Sequence, residues 1–309
     1  MEAFKGRMTA GGLMDFNRLP KDRLREQFNA AIDRALEENA ELQEPRGYLG
    51  GSRLGLECHR QLAYEYFSAR ANRARWVAAV EAWGEAAVEA KQGATILPLR
   101  HRTLHHFPGK ILRRFRAGHW CEDEVAALMR LAGFDLVTEN QYGKQFGFYV
   151  APDPDTGEAR MAGHCDGRIE SGPLAIPYPV LWENKITKSS KWQECVNRGV
   201  KAVYPIYYFQ VQTYLAYFEL HNALLTLYNS DTSEIAPELI PFNQKDAQWA
   251  TDRGVAVLQA QSPEELPRIT NDPAHYLCKW CNFSERCWAK PDAAPETAVA
   301  KPAWLTKEG

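Results

Sequence analysis

No stretch of this 309-residue chain approaches the ~20 consecutive apolar residues that a membrane-spanning helix needs, which excludes an integral helical membrane protein. The opening MEAFKGRMTAGGLMDF lacks an apolar core followed by a small-residue cleavage site, so no secretory leader is expected. Excess charge is missing too. Lys and Arg number 37 against 39 Asp and Glu, a net charge of -2, which excludes a globally basic polyanion binder but not a basic channel in a mildly acidic protein. The seven cysteines are an odd number in a chain without a leader, so metal binding or free thiols fit better than a disulfide framework. There is no internal repeat. What remains, 45% hydrophobic and 25% charged residues, is the composition of a folded protein of one large or two modest domains.

Residues 21–43 set Leu24, Phe28, Ile32 and Leu36 four apart, an amphipathic helix with a charged back, broken by Pro45, Gly47, Gly50 and Gly51. Further helices are expected over Ser52–Ser68, which carries Cys58, over Ala74–Gln92, with Trp76, Val80, Trp83 and Val88 to bury, and over Lys110–Leu131. The texture then changes to strands at 134–143, 146–150, 160–170 and 179–186, separated by Pro, Asp and Gly turns. Helix returns at Pro205–Leu220, followed by strands at 223–228 and 239–242 and a helix over Lys245–Ala260. The tail beyond Lys290 is Pro- and Ala-rich and is expected to be disordered. This order predicts an α/β fold, a mixed central sheet flanked by helices, with a helical N-terminal region against it.

Asp166 in GHCDGRIE and Glu183 in VLWENKI can meet at one end of such a sheet. Lys185 follows Glu183 by two residues, so the strand period puts both on one face. A surface ion pair is the plain alternative. Against it, Val180, Leu181, Trp182 and Ile186 make the strand apolar, where charges need partners. A hard divalent cation with oxygen ligands neutralises converging carboxylates.

Two flanking features extend the pattern. Arg116-x-Gly118-x-x-x-Glu122 precedes the strands on a helix, and a helix carrying Tyr207, Tyr208, Gln210, Gln212 and Tyr214 follows them. The order Gly-x-x-x-Glu, Gly-x-x-Asp-Gly, Glu-x-Lys, Gln-x-x-x-Tyr resembles the PD-(D/E)XK nuclease superfamily, and within it the RecB-like and phage-type exonucleases, over about residues 110–230. The resemblance implies a restriction-endonuclease-like core and Mg²⁺ or Mn²⁺ held by Glu122, Asp166, Glu183 and the carbonyl of Asn184. It also implies that Lys185 positions or deprotonates the attacking water and that Gln210 and Tyr214 contact the substrate strand. Many RecB-like members carry His where Glu122 stands, and His119 lies one turn earlier as the alternative.

Cys278-x-x-Cys281-x5-Cys287 supplies three thiols of a metal site, and Cys58 is the candidate fourth. Three free thiols beside Cys121, Cys165 and Cys195 are the competing reading. One distant N-terminal cysteine with this triplet resembles the iron–sulfur staple of AddB-type helicase-nucleases and CRISPR-associated RecB-like exonucleases, which implies a structural [4Fe–4S] cluster. Spacing alone allows Zn²⁺ equally.

Arg100 to Gly118 holds Arg100, Arg102, Lys110, Arg113, Arg114 and Arg116 with His101, His105 and His106 and no acid; Lys185 to Lys201 holds Lys188, Lys191, Arg198 and Lys201. Either stretch is ordinarily a solvated face, but the pair flanks the carboxylates and fits a channel for phosphates. Gln212 joins Arg113, Arg114, Arg116, Lys188 and Lys191 as a nucleic-acid contact, and Trp192, Tyr207 and Tyr208 are candidates for stacking on unpaired bases. The expected organisation is a helical region over 1–108, a nuclease core over 109–262, an iron–sulfur clasp over 263–290 and a tail over 291–309. The expected activity is metal-dependent exonucleolytic hydrolysis of DNA in recombination, repair or phage- and CRISPR-related processing. The alternatives are a non-catalytic DNA-binding adaptor and a structure- or site-specific endonuclease. Expected partners are DNA and a recombination or single-strand-annealing protein, with homo-oligomers allowed and no membrane, in the cytoplasm of a bacterial or phage-infected cell.

Overall fold

A computed structural model describes residues 21–39, 45–83 and 107–289. The tail over 291–309, the end of the expected helix over 84–92, and Arg100, Arg102, His101, His105 and His106 lie outside the described residues. Helix α1 (Lys21–Asn39) is followed by a short strand β1 (Leu49–Gly50), a 3-10 turn (Gly51–Arg53) and helix α2 (His59–Trp83). Helix α3 (Gly109–Leu131) leads into strands β2 (Asp135–Val137), β3 (Gly147–Pro152), β4 (Ala159–His164), β5 (Gly167–Ser171) and β6 (Val180–Thr187). Helices α4 (Ser189–Arg198), α5 (Val200–Val203) and α6 (Pro205–Phe218) cross over to β7 (Asn222–Asn229) and β8 (Ile235–Pro241). Helix α7 (Gln244–Gln259), a 3-10 turn (Pro263–Glu265) and two short helices, α8 (Tyr276–Lys279) and α9 (Ser284–Trp288), complete the order.

The strands form two sheets rather than the single mixed sheet expected. One has the order β1-β4-β3 and the other β2-β5-β6-β7-β8. Segment 160–170, read as one strand, divides at Cys165–Asp166 and passes from the first sheet to the second. In the larger sheet β6 and β7 are parallel and the other neighbours antiparallel. Strand β6 is covered on both faces, which is why it opens as an unbroken apolar run. Val180 and Trp182 face α3 together with Cys121, Val125 and Met129, while Leu181 joins the core with Phe209, Leu225 and Val257.

Two helical expectations change as well. The helices foreseen at Ser52–Ser68 and Ala74–Gln92 are one helix, because SARANRA between them holds no breaker. Cys58 sits just ahead of it, its carbonyl accepting from the Leu62 N–H at 3.2 Å. Helix α1 does not bury its whole apolar stripe: Leu24 and Phe28 are 55% and 64% exposed. It meets α3 through polar contacts, Arg113 pairing with Asp33 at 2.8 Å and donating to Asn29 at 2.6 Å. Glu37 accepts the Gly109 N–H at 2.6 Å, at the start of α3. A Cβ on Gly109 would stand 2.4 Å from the Asp33 Cα, so this approach requires glycine.

Candidate active site

A cleft of about 1050 Å³ opens between the two sheets, the turn at 51–53, α3 and α6. Its lining brings together Glu122, Asp166, Glu183, Lys185, Gln210 and Tyr214, which are up to 92 residues apart in the chain. The sheet change places Asp166 at the junction of β4 and β5, 9% exposed. There the Asn184 N–H donates to its Oδ2 at 2.8 Å. Glu183 is only 1% exposed. Its Oε1 accepts from Gln210 at 2.6 Å and from Lys185, while its Oε2 is buried with no hydrogen-bond partner. Lys185 Nζ also donates to the Asn184 carbonyl at 3.1 Å and lies 5.5 Å from the Tyr207 ring centroid.

The Asn184 side chain turns to the opposite face of β6. Its Nδ2 donates to Cys121 Sγ at 3.5 Å and its Oδ1 accepts from Thr226 Oγ1 at 2.8 Å. Thr226 in turn accepts from the Trp182 indole N–H at 3.0 Å. These bonds fix the strand whose backbone N–H holds Asp166.

Crowded carboxylates in a desolvated floor resist ionisation. Burial, then the neighbouring Asp166, pushes the Glu183 carboxyl up to about 8, and the same causes push Glu122 up to about 7. Asp166 is raised by burial. Burial opposes charge on Lys185, but Glu183 and Asp166 outweigh it and hold the ammonium above its ordinary value. Burial, with Glu183 and Asp166, raises the Tyr214 hydroxyl well above its usual range.

Gln210 and Tyr214 line the cleft, while several of the expected nucleic-acid contacts lie outside it. Gln210 is committed to Glu183, and Tyr214, 2% exposed, packs edge-to-face on Phe148. A Cβ on Gly163 would stand 2.6 Å from the Tyr214 ring, so glycine there lets the ring seat under the site. Gln212 lies outside the cleft, fully buried, donating to the Pro241 carbonyl and accepting from the Asn243 N–H. Arg113 is occupied by α1, and Arg114 and Arg116 are exposed outside the cleft lining. Lys188 and Lys191 are exposed and lie outside the cleft lining, Lys191 paired with Glu194. Trp192 donates to the Leu227 carbonyl and Tyr208 to Asp246, which leaves Tyr207 as the expected aromatic that lines the cleft. His119 and Glu122 both line it. Arg46, Tyr48, Arg53 and Arg130 line it too and were not foreseen. The signal for the first three was a Gly-rich loop, RGYLGGSR, with an arginine at each end.

Cys58, Cys278, Cys281 and Cys287 line one small cavity of about 20 Å³, with Tyr64, Arg268 and Trp288 around them. None is in a disulfide. Burial raises the thiols of Cys278 and Cys281, and the neighbouring cysteines add to it. Cys121, Cys165 and Cys195 are buried elsewhere. Among the described residues, no group of three or more His, Cys, Asp or Glu side chains is arranged to hold a metal ion. The donor chemistry nonetheless fits at both places: a carboxylate oxygen without a partner on the cleft floor, and four thiols outside any disulfide around one cavity. No described helix is long and apolar enough to cross a membrane.

No protein-family model and no curated protein matches the chain. Among solved structures, SSO0001 superposes with a TM-score of 0.42 at 16% identity, over 86% of this chain and 98% of its own. An alkaline exonuclease, LHK-Exo from Laribacter hongkongensis, superposes with a TM-score of 0.37 at 15% identity, over 75% and 90% of the two chains. The same protein in complex with dAMP gives 0.39 at 15%, over 76% and 90%. Likeness at this level carries no conclusion about activity.

Proposed function

We propose that the protein is a metal-dependent nuclease that hydrolyses phosphodiester bonds in DNA, acting from strand ends. One observation carries the reading: Glu183 is buried with an unpartnered carboxylate oxygen, beside Asp166 and Lys185, on the floor of an open cleft. A buried carboxylate oxygen without a donor costs stability, a cost that a bound cation offsets. Mg²⁺ or Mn²⁺ held by Glu122, Asp166, Glu183 and the Asn184 carbonyl would supply Lewis acidity at the phosphoryl oxygen and acidify a bound water.

The chain's own groups divide the remaining work. Gln210 fixes one Glu183 oxygen and so aims the other. The Asn184 N–H aims Asp166 in the same way. Lys185 donates to Glu183 and to the Asn184 carbonyl, which keeps it protonated as the cation facing charge that develops on the scissile phosphate. Glu122, one turn beyond His119, closes the site from α3.

The four-cysteine cavity is read as a structural metal clasp. It ties the start of α2 to the C-terminal helices, alongside the Arg60 bond to the Leu266 carbonyl at 2.6 Å and the Tyr64–Phe283 stack at 5.2 Å. A [4Fe–4S] cluster is the proposed occupant, and Zn²⁺ is the alternative that the same four thiols allow. The test of the activity is incubation with Mg²⁺ and DNA labelled at either end. Mononucleotides released from one end support an exonuclease; mid-chain fragments support the endonuclease alternative; cleavage indifferent to chelation removes the reading.

A further inference from the structure

We infer that the cleft takes an unpaired nucleic-acid strand in preference to a duplex; this names the substrate of the site just proposed and rests on that reading. Helix α3 gives one face to the cleft, since Phe115, His119, Glu122, Ala126 and Arg130 recur every three or four residues and all line it. Phe115 is 44% exposed on that face. Two more rings enter from other elements, Tyr48 just before β1 and Tyr207 on α6. Each tyrosine has a cation of the same cleft beside it: Arg46 lies 6.0 Å from the Tyr48 ring centroid and Lys185 5.5 Å from that of Tyr207. Alternating rings and cations match the alternating bases and phosphates of an unpaired strand, whose exposed base faces can stack.

A duplex offers the cleft less. Its bases are stacked on one another, so its affinity must come mainly from phosphates. The cations available for that are few and partly committed. Arg53 is held by both Glu65 oxygens at 2.8 Å, and Arg130 donates to the Leu136 carbonyl at 3.1 Å and Thr138 at 2.9 Å. Glu122, Asp123 and Glu139 line the same walls and oppose a polyanion.

Binding of a labelled single strand and of a blunt duplex of the same sequence, measured by fluorescence anisotropy on the full chain in EDTA, tests the inference without cleavage. The single strand should bind at least roughly tenfold more tightly. With Arg53 and Arg130 committed and Arg46 contacting phosphate, its affinity should fall only weakly with salt, at a log–log slope of about -0.7. Phe115→Ala should weaken single-strand binding by about 5- to 100-fold, and Phe115→Tyr should restore it. Equal or tighter duplex binding, no binding of either, or an unchanged affinity in Phe115→Ala overturns the inference. A parallel cleavage assay with Mg²⁺ separates the two readings. Cleavage without strand preference removes the inference alone, and strand preference without any cleavage removes the proposed activity alone.

Discussion

Replacing Thr226 by Val takes one hydroxyl from beneath the site and keeps the shape of the side chain. Thr226 is 3% exposed and stands between Trp182, fully buried, and Asn184, 7% exposed. Its hydroxyl accepts the Trp182 N–H at 3.0 Å and donates to Asn184 Oδ1 at 2.8 Å. The methyl that replaces it satisfies neither, so two buried polar groups lose their partner. At roughly 1–3 kcal/mol each, the variant should lose about 2–6 kcal/mol. That is a large part of a typical folding free energy. Urea unfolding followed by fluorescence should show the midpoint falling by about 1 M or more, with an unchanged slope. Cleavage should fall with it under conditions where the protein is still folded, because Asn184 presents the N–H that aims Asp166. Thr226→Ser keeps the hydroxyl and should stay within about 1 kcal/mol of wild type. A Val variant within about 0.5 kcal/mol of wild type would show that the Trp182–Thr226–Asn184 bonds do not hold the strand.

Replacing Cys58, Cys278, Cys281 or Cys287 by Ser should each lower stability and release the clasp metal, read by metal analysis and by colour in anaerobically purified protein, whereas Cys165→Ala should leave metal content unchanged. In chelator, stability should fall as pH rises from about 4.5 to about 8, because the unfolded chain has released the Glu183 proton while the folded protein still holds it. Glu183→Gln should flatten that fall in a series of thermal melts. Gly109→Ala should force α1 away from α3, since its Cβ would stand 2.4 Å from the Asp33 backbone, and limited proteolysis should then cut within 21–39 first.

The site was legible where periodicity and burial agree. VLWENKI reads as a buried strand, and its period of two already sets Glu183 and Lys185 on one face, as they stand. The sheet change at Cys165–Asp166 was not legible in RMAGHCDGRIE: its one turn pair, Asp166-Gly167, stands inside an otherwise strand-like run, and the division is made by tertiary pairing of β4 with β1 and β3, and of β5 with β6. Gln212 was taken with Gln210, yet residues two apart on a helix face different ways, and the second meets the end of β8 instead of the cleft. Arg113 reads as a free cation until α1 docks on it with Asn29 and Asp33. Arg46, Tyr48 and Arg53 belong to a Gly-rich loop whose approach to the carboxylates depends on β1 pairing with β4, a contact more than a hundred residues away in the chain.

The central claim is that Asp166, Glu183 and Lys185 form a metal-dependent hydrolytic site, and turnover on end-labelled DNA in Mg²⁺ tests it most directly. Wild type should be compared with Asp166→Asn, Glu183→Gln and Lys185→Met, each confirmed folded by circular dichroism. The account predicts turnover that EDTA stops and Mn²⁺ restores, with a loss of at least about 100-fold in every variant while DNA binding persists. Wild-type-like turnover in Asp166→Asn, or cleavage that EDTA leaves untouched, would contradict it.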